Sequence, residues 1–163
     1  MHANHEEMIL RNPALGACAS WHLARSFAET ATGAAPDLPY FLIGAAMIFH
    51  RPTVEKIHAM RFESGLVKAV SEQPDVIGGL QLRLENNANA ALAALQLGCA
   101  TKLLEKERGE RFPAFRAKGA DLPTDIRHGD GDVPRVFGCA KRLGKWFGEA
   151  RLHGLKQLLR IEF

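Results

Sequence analysis

Residues 75–118 read DVIGGLQLRLENNANAALAALQLGCATKLLEKERGERFPAFRAK, and the fold turns on how this stretch is divided. Ile77, Leu80, Leu84, Ala88, Ala91 and Leu95 keep helical spacing from end to end, so one long helix is open to it. Asn86-Asn87 offers a turn instead, with Asn87 capping a second helix that runs to Leu97 and ends at Gly98. The residues after Gly98 favour two helices. Lys102–Lys106 and Glu110–Phe115 read as short strands around a turn at Glu107-Arg108-Gly109. Helix, turn, helix and hairpin is the order of a winged helix.

Upstream, Asn12-Pro13 is a helix start, because the Asn side-chain oxygen can cap and Pro at the first helical position gives up no useful N–H. Ala17, Trp21, Ala24 and Phe27 recur at helical spacing, and Gly33 offers a left-handed stop. Tyr40-Phe-Leu-Ile-Gly-Ala-Ala-Met-Ile-Phe49 is apolar on every side, the pattern of a helix buried all round, with Pro52 close after it as a break. Shorter helices are expected over Thr53–Met60 and Glu63–Gln73, the second ended by Pro74. Downstream, residues 116–132 read as an exposed loop around Gly119, Pro123 and Gly129-Asp-Gly-Asp132. Asp132 can then cap a basic helix with the stripe Val136, Ala140, Leu143 and Phe147, and a last short helix around Leu152–Leu159 leads into the tail 160–163.

These elements predict a mainly α protein, a compact helical domain with a winged-helix-like helix-turn-helix and a small β-hairpin. A single domain is expected over 1–163: a helical part (1–74), a winged-helix-like part (75–118), and C-terminal helices (133–163) packing back. Trp21, Phe27, Phe41, Ile48, Phe49 and Leu84 belong to its core.

Composition narrows the function. With 163 residues, 47% hydrophobic and 24% charged, the chain is an ordinary globular one, long enough for one sizeable core. The net charge of +3 is too mild to diagnose a nucleic-acid partner. Its distribution is uneven: residues 1–50 carry 2 basic and 4 acidic groups, residues 51–110 carry 8 and 8, and residues 111–163 carry 11 and 6. Cys18, Cys99 and Cys139 lie far apart without a CxxC pair, which suits a reducing compartment. Glu6 and Glu7 replace the basic start of a secretory signal, and the run Leu38–Phe49 is too short to span a bilayer. A cytoplasmic protein without a membrane partner is expected.

Catalytic motifs are missing. The nearest approach to a phosphate loop, Gly138 to Lys145, has one residue too many, lacks the Ser or Thr that would hold magnesium, and falls inside the basic helix. Asp125–Asp132 lacks the alternating ligands and distant Glu of a calcium loop. The seven histidines stand at neither HxxxH nor HExxH spacing, and no serine sits in a GxSxG elbow. No enzyme activity, cofactor or metal is expected.

Two surfaces remain as candidates. Lys102, Lys106, Arg108, Arg111, Arg116 and Lys118 place cations along the hairpin and just after it, where a wing meets a nucleic-acid backbone, although Glu105, Glu107 and Glu110 interleave. The helix Ala88–Leu97 carries no charge and suits a core or another protein's surface better than base edges. On the basic helix, Trp146 lies about 100° around the axis from Phe147, beside Arg142 and Lys145. Core packing and partner binding are both open to that ring, and an interface role would use all three residues.

Several motifs carry a family resemblance: Leu10-Arg-Asn-Pro-Ala-Leu-Gly16 with Trp21 and Phe27, the apolar helix leading to His50-Arg-Pro-Thr53, Arg111-Phe-Pro113, Ala140-Lys-Arg-Leu-Gly-Lys-Trp-Phe147, and the ending Leu158-Leu-Arg-Ile-Glu-Phe163. In these the chain resembles the middle components of three-component ABC-ATPase systems, small bacterial proteins that accompany an SMC- or RecN-like ATPase and a third, variable component. It departs from them where Gly98 is separated from Leu103-Leu104 instead of forming one Gly-Leu-Leu stretch. The resemblance implies a non-catalytic adaptor between the ATPase and an effector, in defence against phages and other mobile elements, with DNA reached through the complex. The alternative is a free-standing winged-helix DNA-binding protein or transcription regulator.

Overall fold

A computed structural model describes residues 12–119, 121–122 and 131–163. Helix α1 (Pro13–Thr30) begins as its sequence requires: Asn12 Oδ1 accepts from the Leu15 N–H at 3.3 Å, with Pro13 in the first turn. Past its end Gly33, at φ +86°, returns its N–H to Ala28 O, a left-handed reversal that suits glycine. Helix α2 (Leu38–Ile48) is buried on almost every side, as an all-apolar run must be. The chain breaks at Phe49-His50, and Pro52 sits in the first turn of α3 (Arg51–His58), where its missing N–H costs nothing. A 3₁₀ turn (Phe62–Ser64), α4 (Gly65–Glu72) and a second 3₁₀ turn (Pro74–Val76) lead to α5.

Helix α5 runs unbroken from Leu80 to Ala100. The division expected at Asn86-Asn87 does not form, and with it goes the helix-turn-helix half of the winged-helix reading. Leu80, Leu84, Ala91, Ala94 and Leu95 are buried along one face, against α1 and α2. Asn costs a helix only about 0.5 kcal/mol relative to the best residues, whereas each buried leucine gains about 1.5–3 kcal/mol. Packing therefore overrides the turn signal.

The hairpin comes immediately after α5. Strands β1 (Leu104–Glu107) and β2 (Ala114–Ala117) pair antiparallel, Leu104 opposite Ala117 and Lys106 opposite Phe115. The strands lie further along the chain than their sequence suggests, and residues 108–113 form a longer tip. The neighbouring chain explains the shift. Pro113 O accepts from the Leu38 N–H at 2.8 Å, and the Phe115 N–H donates to Pro36 O at 3.0 Å, so β2 is tied to the linker before α2. Leu104 and Phe115 are buried.

Helices α6 (Val133–Gly148) and α7 (Leu152–Leu159) return the chain to its start. Asp132 precedes α6 as expected, though its side chain makes no capping bond. Helix α6 packs along α1, with the Ser26 hydroxyl donating to Lys141 O at 2.6 Å. Gly144 permits the approach: a Cβ there would stand 2.3 Å from Leu23 O. The mainly helical class and the hairpin match the sequence reading, and Trp21, Phe27, Phe41, Ile48, Phe49 and Leu84 are all buried. Ile161 in the tail is buried as well. Of the loop expected over 116–132, residues 120 and 123–130 lie outside the described residues.

Candidate functional site

The hairpin sorts its six cations into two groups. On one face the alternation of β1 presents Glu105 and Glu107 toward β2, and each finds a cation there: Arg116 pairs with Glu107, and Lys118 Nζ lies 2.8 Å from Glu105. These pairs hold the Glu105 carboxyl below its usual range, mainly through the Lys118 hydrogen bond. Arg116 also donates to Gly33 O at 2.8 Å. Lys102, Lys106, Arg108 and Arg111 form no ion pair with any described residue. Lys102 stands apart at the hairpin base in a left-handed conformation, φ +64°. Lys106, Arg108 and Arg111 surround the tip, with Glu107, Phe112, Pro113 and Gly109 lining the same shallow depression. The Arg111 guanidinium lies over the Phe112 ring, 5.8 Å from its centroid. Gly109 lets the loop close on itself, since a Cβ there would lie 2.0 Å from Phe112 O.

The basic helix reads differently from the expectation. Trp146 is 1% exposed, and its indole N–H donates to Phe62 O at 2.8 Å. A ring so placed is core, and it offers no surface to a partner; the interface role expected of Trp146 is corrected on that ground. The boundary position deduced for it is covered by the segment after α3. Arg142 is drawn into the same contact: its Nε donates to Met60 O at 2.7 Å and its guanidinium lies over the Phe62 ring. Lys145 pairs with Glu149. The residues that resembled a phosphate loop are packing residues. Gly144 meets the α1 backbone, and a Cβ on Gly138 would stand 2.7 Å from His58 Nδ1.

Beside the α1–α6 contact lies a cavity of about 300 Å³ bordered by Trp21, His22, Ser26, Phe62 and Lys141. His22 packs against the rings of Trp21 and Phe137, and its Nε2 is buried without a hydrogen-bond partner. Burial, and secondarily Lys141, lowers its pKa to about 4, so the imidazole is neutral at pH 7. Burial also raises the thiol pKa of Cys18 and Cys99 and pushes that of Cys139 up to about 12. None of the three has the depressed pKa of a cysteine nucleophile. No group of three His, Cys, Asp or Glu side chains among the described residues could hold a metal ion.

The outer face of α5 is the remaining surface. Leu82 (61% exposed), Asn86, Asn89, Leu92 (40%), Ala93 and Gln96 succeed one another along it, and Glu85 is its only exposed charge. A 21-residue helix whose exposed side bears amides, alanines and leucines presents a strip with a single charge, Glu85, to its surroundings. Sequence reasoning saw the missing charge over Ala88–Leu97 but not that the strip extends back to Leu82. It also missed what fixes the start of the helix: Arg83 donates to Ala46 O, Gly78 O and Val76 O, tying α5 to α2 and to the preceding turn. No local pattern marks an arginine for that work. No described helix is long and apolar enough to cross a membrane.

No curated protein and no solved structure matches the chain. A family model does, over residues 2–163: that of the ABC-three component (ABC-3C) system Middle Component 3.

Proposed function

Because the chain belongs to the middle component 3 family of ABC-three component systems, we propose that it is a non-catalytic adaptor. It joins an SMC- or RecN-like ABC ATPase to an effector component in the bacterial cytoplasm, in a system that acts against phages and other mobile elements. The outer face of α5 is the observation that carries this reading. Charged residues are depleted at the centre of protein interfaces, and a helical strip with a single exposed charge, which no element among the described residues covers, has the composition of such a centre. Nucleotide is left to the ATPase, since the glycines nearest to a phosphate loop are occupied in helix packing.

Co-expression with the ATPase and effector encoded beside it tests the proposal. The wild-type chain is expected to retain both on affinity purification and to hydrolyse no ATP alone. Replacing Ala93 and Asn89 by Glu is expected to abolish retention while leaving the far-UV circular dichroism unchanged, because both side chains are exposed. Undiminished retention by that variant would remove α5 from the interface. Absence of either partner from the wild-type preparation would overturn the adaptor itself.

A further inference from the structure

We infer that the hairpin tip is a site for the phosphate backbone of nucleic acid, with Lys106, Arg108 and Arg111 as its cations and the Phe112 ring as a stacking surface. The pairing on the hairpin face is what isolates the tip. Glu105 and Glu107 are consumed by Lys118 and Arg116. Apart from the partly exposed Glu107–Arg116 pair, the charge around residues 106–111 is then three cations against the carboxylate of Glu110.

Position adds to charge. Lys106 leaves the end of β1, Arg108 begins the tip and Arg111 comes after it around the turn, so the three are strung along a projecting loop. A polyphosphate backbone is likewise a string of regularly spaced charge, and cations distributed in this way neutralise several phosphates without needing a fixed partner for each. The second element is the partly exposed Phe112 ring with the Arg111 guanidinium over one face, an arginine–aromatic pair whose flat surfaces suit the stacking of unpaired bases. The tip is also held firmly. The bonds from the Leu38 N–H to Pro113 O and from the Phe115 N–H to Pro36 O anchor the β2 end of the tip to the body of the protein. An acidic protein surface would satisfy the same charge, and the partner-capture arm of the test separates it from nucleic acid. Sequence-independent contact is expected of cations that meet phosphates, which carry no sequence information.

The test measures fluorescence anisotropy of labelled single-stranded and duplex DNA against the full chain at rising salt. Three phosphate contacts on duplex predict a loss of affinity of about 40-fold between about 50 and 200 mM salt. Each of Lys106→Ala, Arg108→Ala and Arg111→Ala is expected to flatten the plot of log affinity against log salt by about one unit. Phe112→Leu is expected to weaken single strands more than duplex. The charge-neutral double replacement Glu105→Ala with Lys118→Ala, which removes a paired cation, is expected to leave the slope alone. Thermal melting of each variant verifies its fold. No binding to either probe at low salt overturns the proposal, as does an equal effect of the Glu105/Lys118 control. It is also overturned if the tip variants bind DNA normally but lose a protein partner, which would assign the cations to an acidic protein surface. A chain that captures its partners and ignores DNA would leave the adaptor reading intact.

Discussion

His22 couples the folded state to pH. In the unfolded chain its imidazole takes up a proton near pH 6.5, whereas burial against Trp21 and Phe137, with Lys141 nearby, lowers the folded value to about 4. The folded state therefore resists protonation. Its contribution to stability is complete above pH 6.5 and is lost as pH falls from there toward 4, a displacement corresponding to about 3 kcal/mol. Urea denaturation at about pH 7.5 and 4.5 is expected to show His22→Gln losing less stability on acidification than wild type, by most of that amount. Parallel losses in the two proteins would show that His22 does not titrate on unfolding. Nothing in the sequence separates this histidine from the other six, because Phe137 and Lys141, which help to bury it and lower its pKa, arrive from α6, over a hundred residues away. A separation of 84 residues likewise hid the core position of Trp146, whose indole partner is the Phe62 carbonyl.

Among the elements, α5 offers the clearest check. Asn86 and Asn87 lie inside an unbroken helix with Asn86 exposed, so replacing both by Ala is expected to raise stability by about 1 kcal/mol through helix propensity. If a turn stood there, losing the cap at Asn87 would instead cost about 1 kcal/mol. The midpoint of urea unfolding gives the sign. Helices α1, α2 and α6 were legible because their local signals agree: the Asn12-Pro13 cap, an all-apolar run, and a regular apolar stripe after Asp132. The hairpin was legible in kind but displaced, since its register answers to Pro36 and Leu38 on another segment. For α5 the local signals conflicted, and only the surfaces it packs against decide between one helix and two. The candidate sites divided on the same line. Cations along the hairpin can be read from the sequence, but which of them are free depends on the cross-strand register.

For the molecule as a whole, the interior is shared between segments far apart in the chain. Helix α6 gives the core Val136, Phe137, Leu143, Trp146 and Phe147, all at most 4% exposed. At about 1.5–3 kcal/mol each their burial rivals the entire stability of a typical domain, about 5–15 kcal/mol. A chain ending before residue 133 is expected to show no cooperative thermal transition by circular dichroism, and a sharp transition would mean that the preceding residues fold without α6. The close crossing of α1 and α6, where Ser26 meets Lys141 across 115 residues, also has a consequence for synthesis. At about 5–20 residues per second, α1 leaves the ribosome roughly 6–20 s before its partner exists. The side of α1 that α6 covers, around Leu23 and Ser26, stays open for that interval, a sticky strip on a half-made chain and a natural hold for a chaperone. How long the strip stays open is set by the translation of the intervening residues, not by the speed at which α1 itself coils.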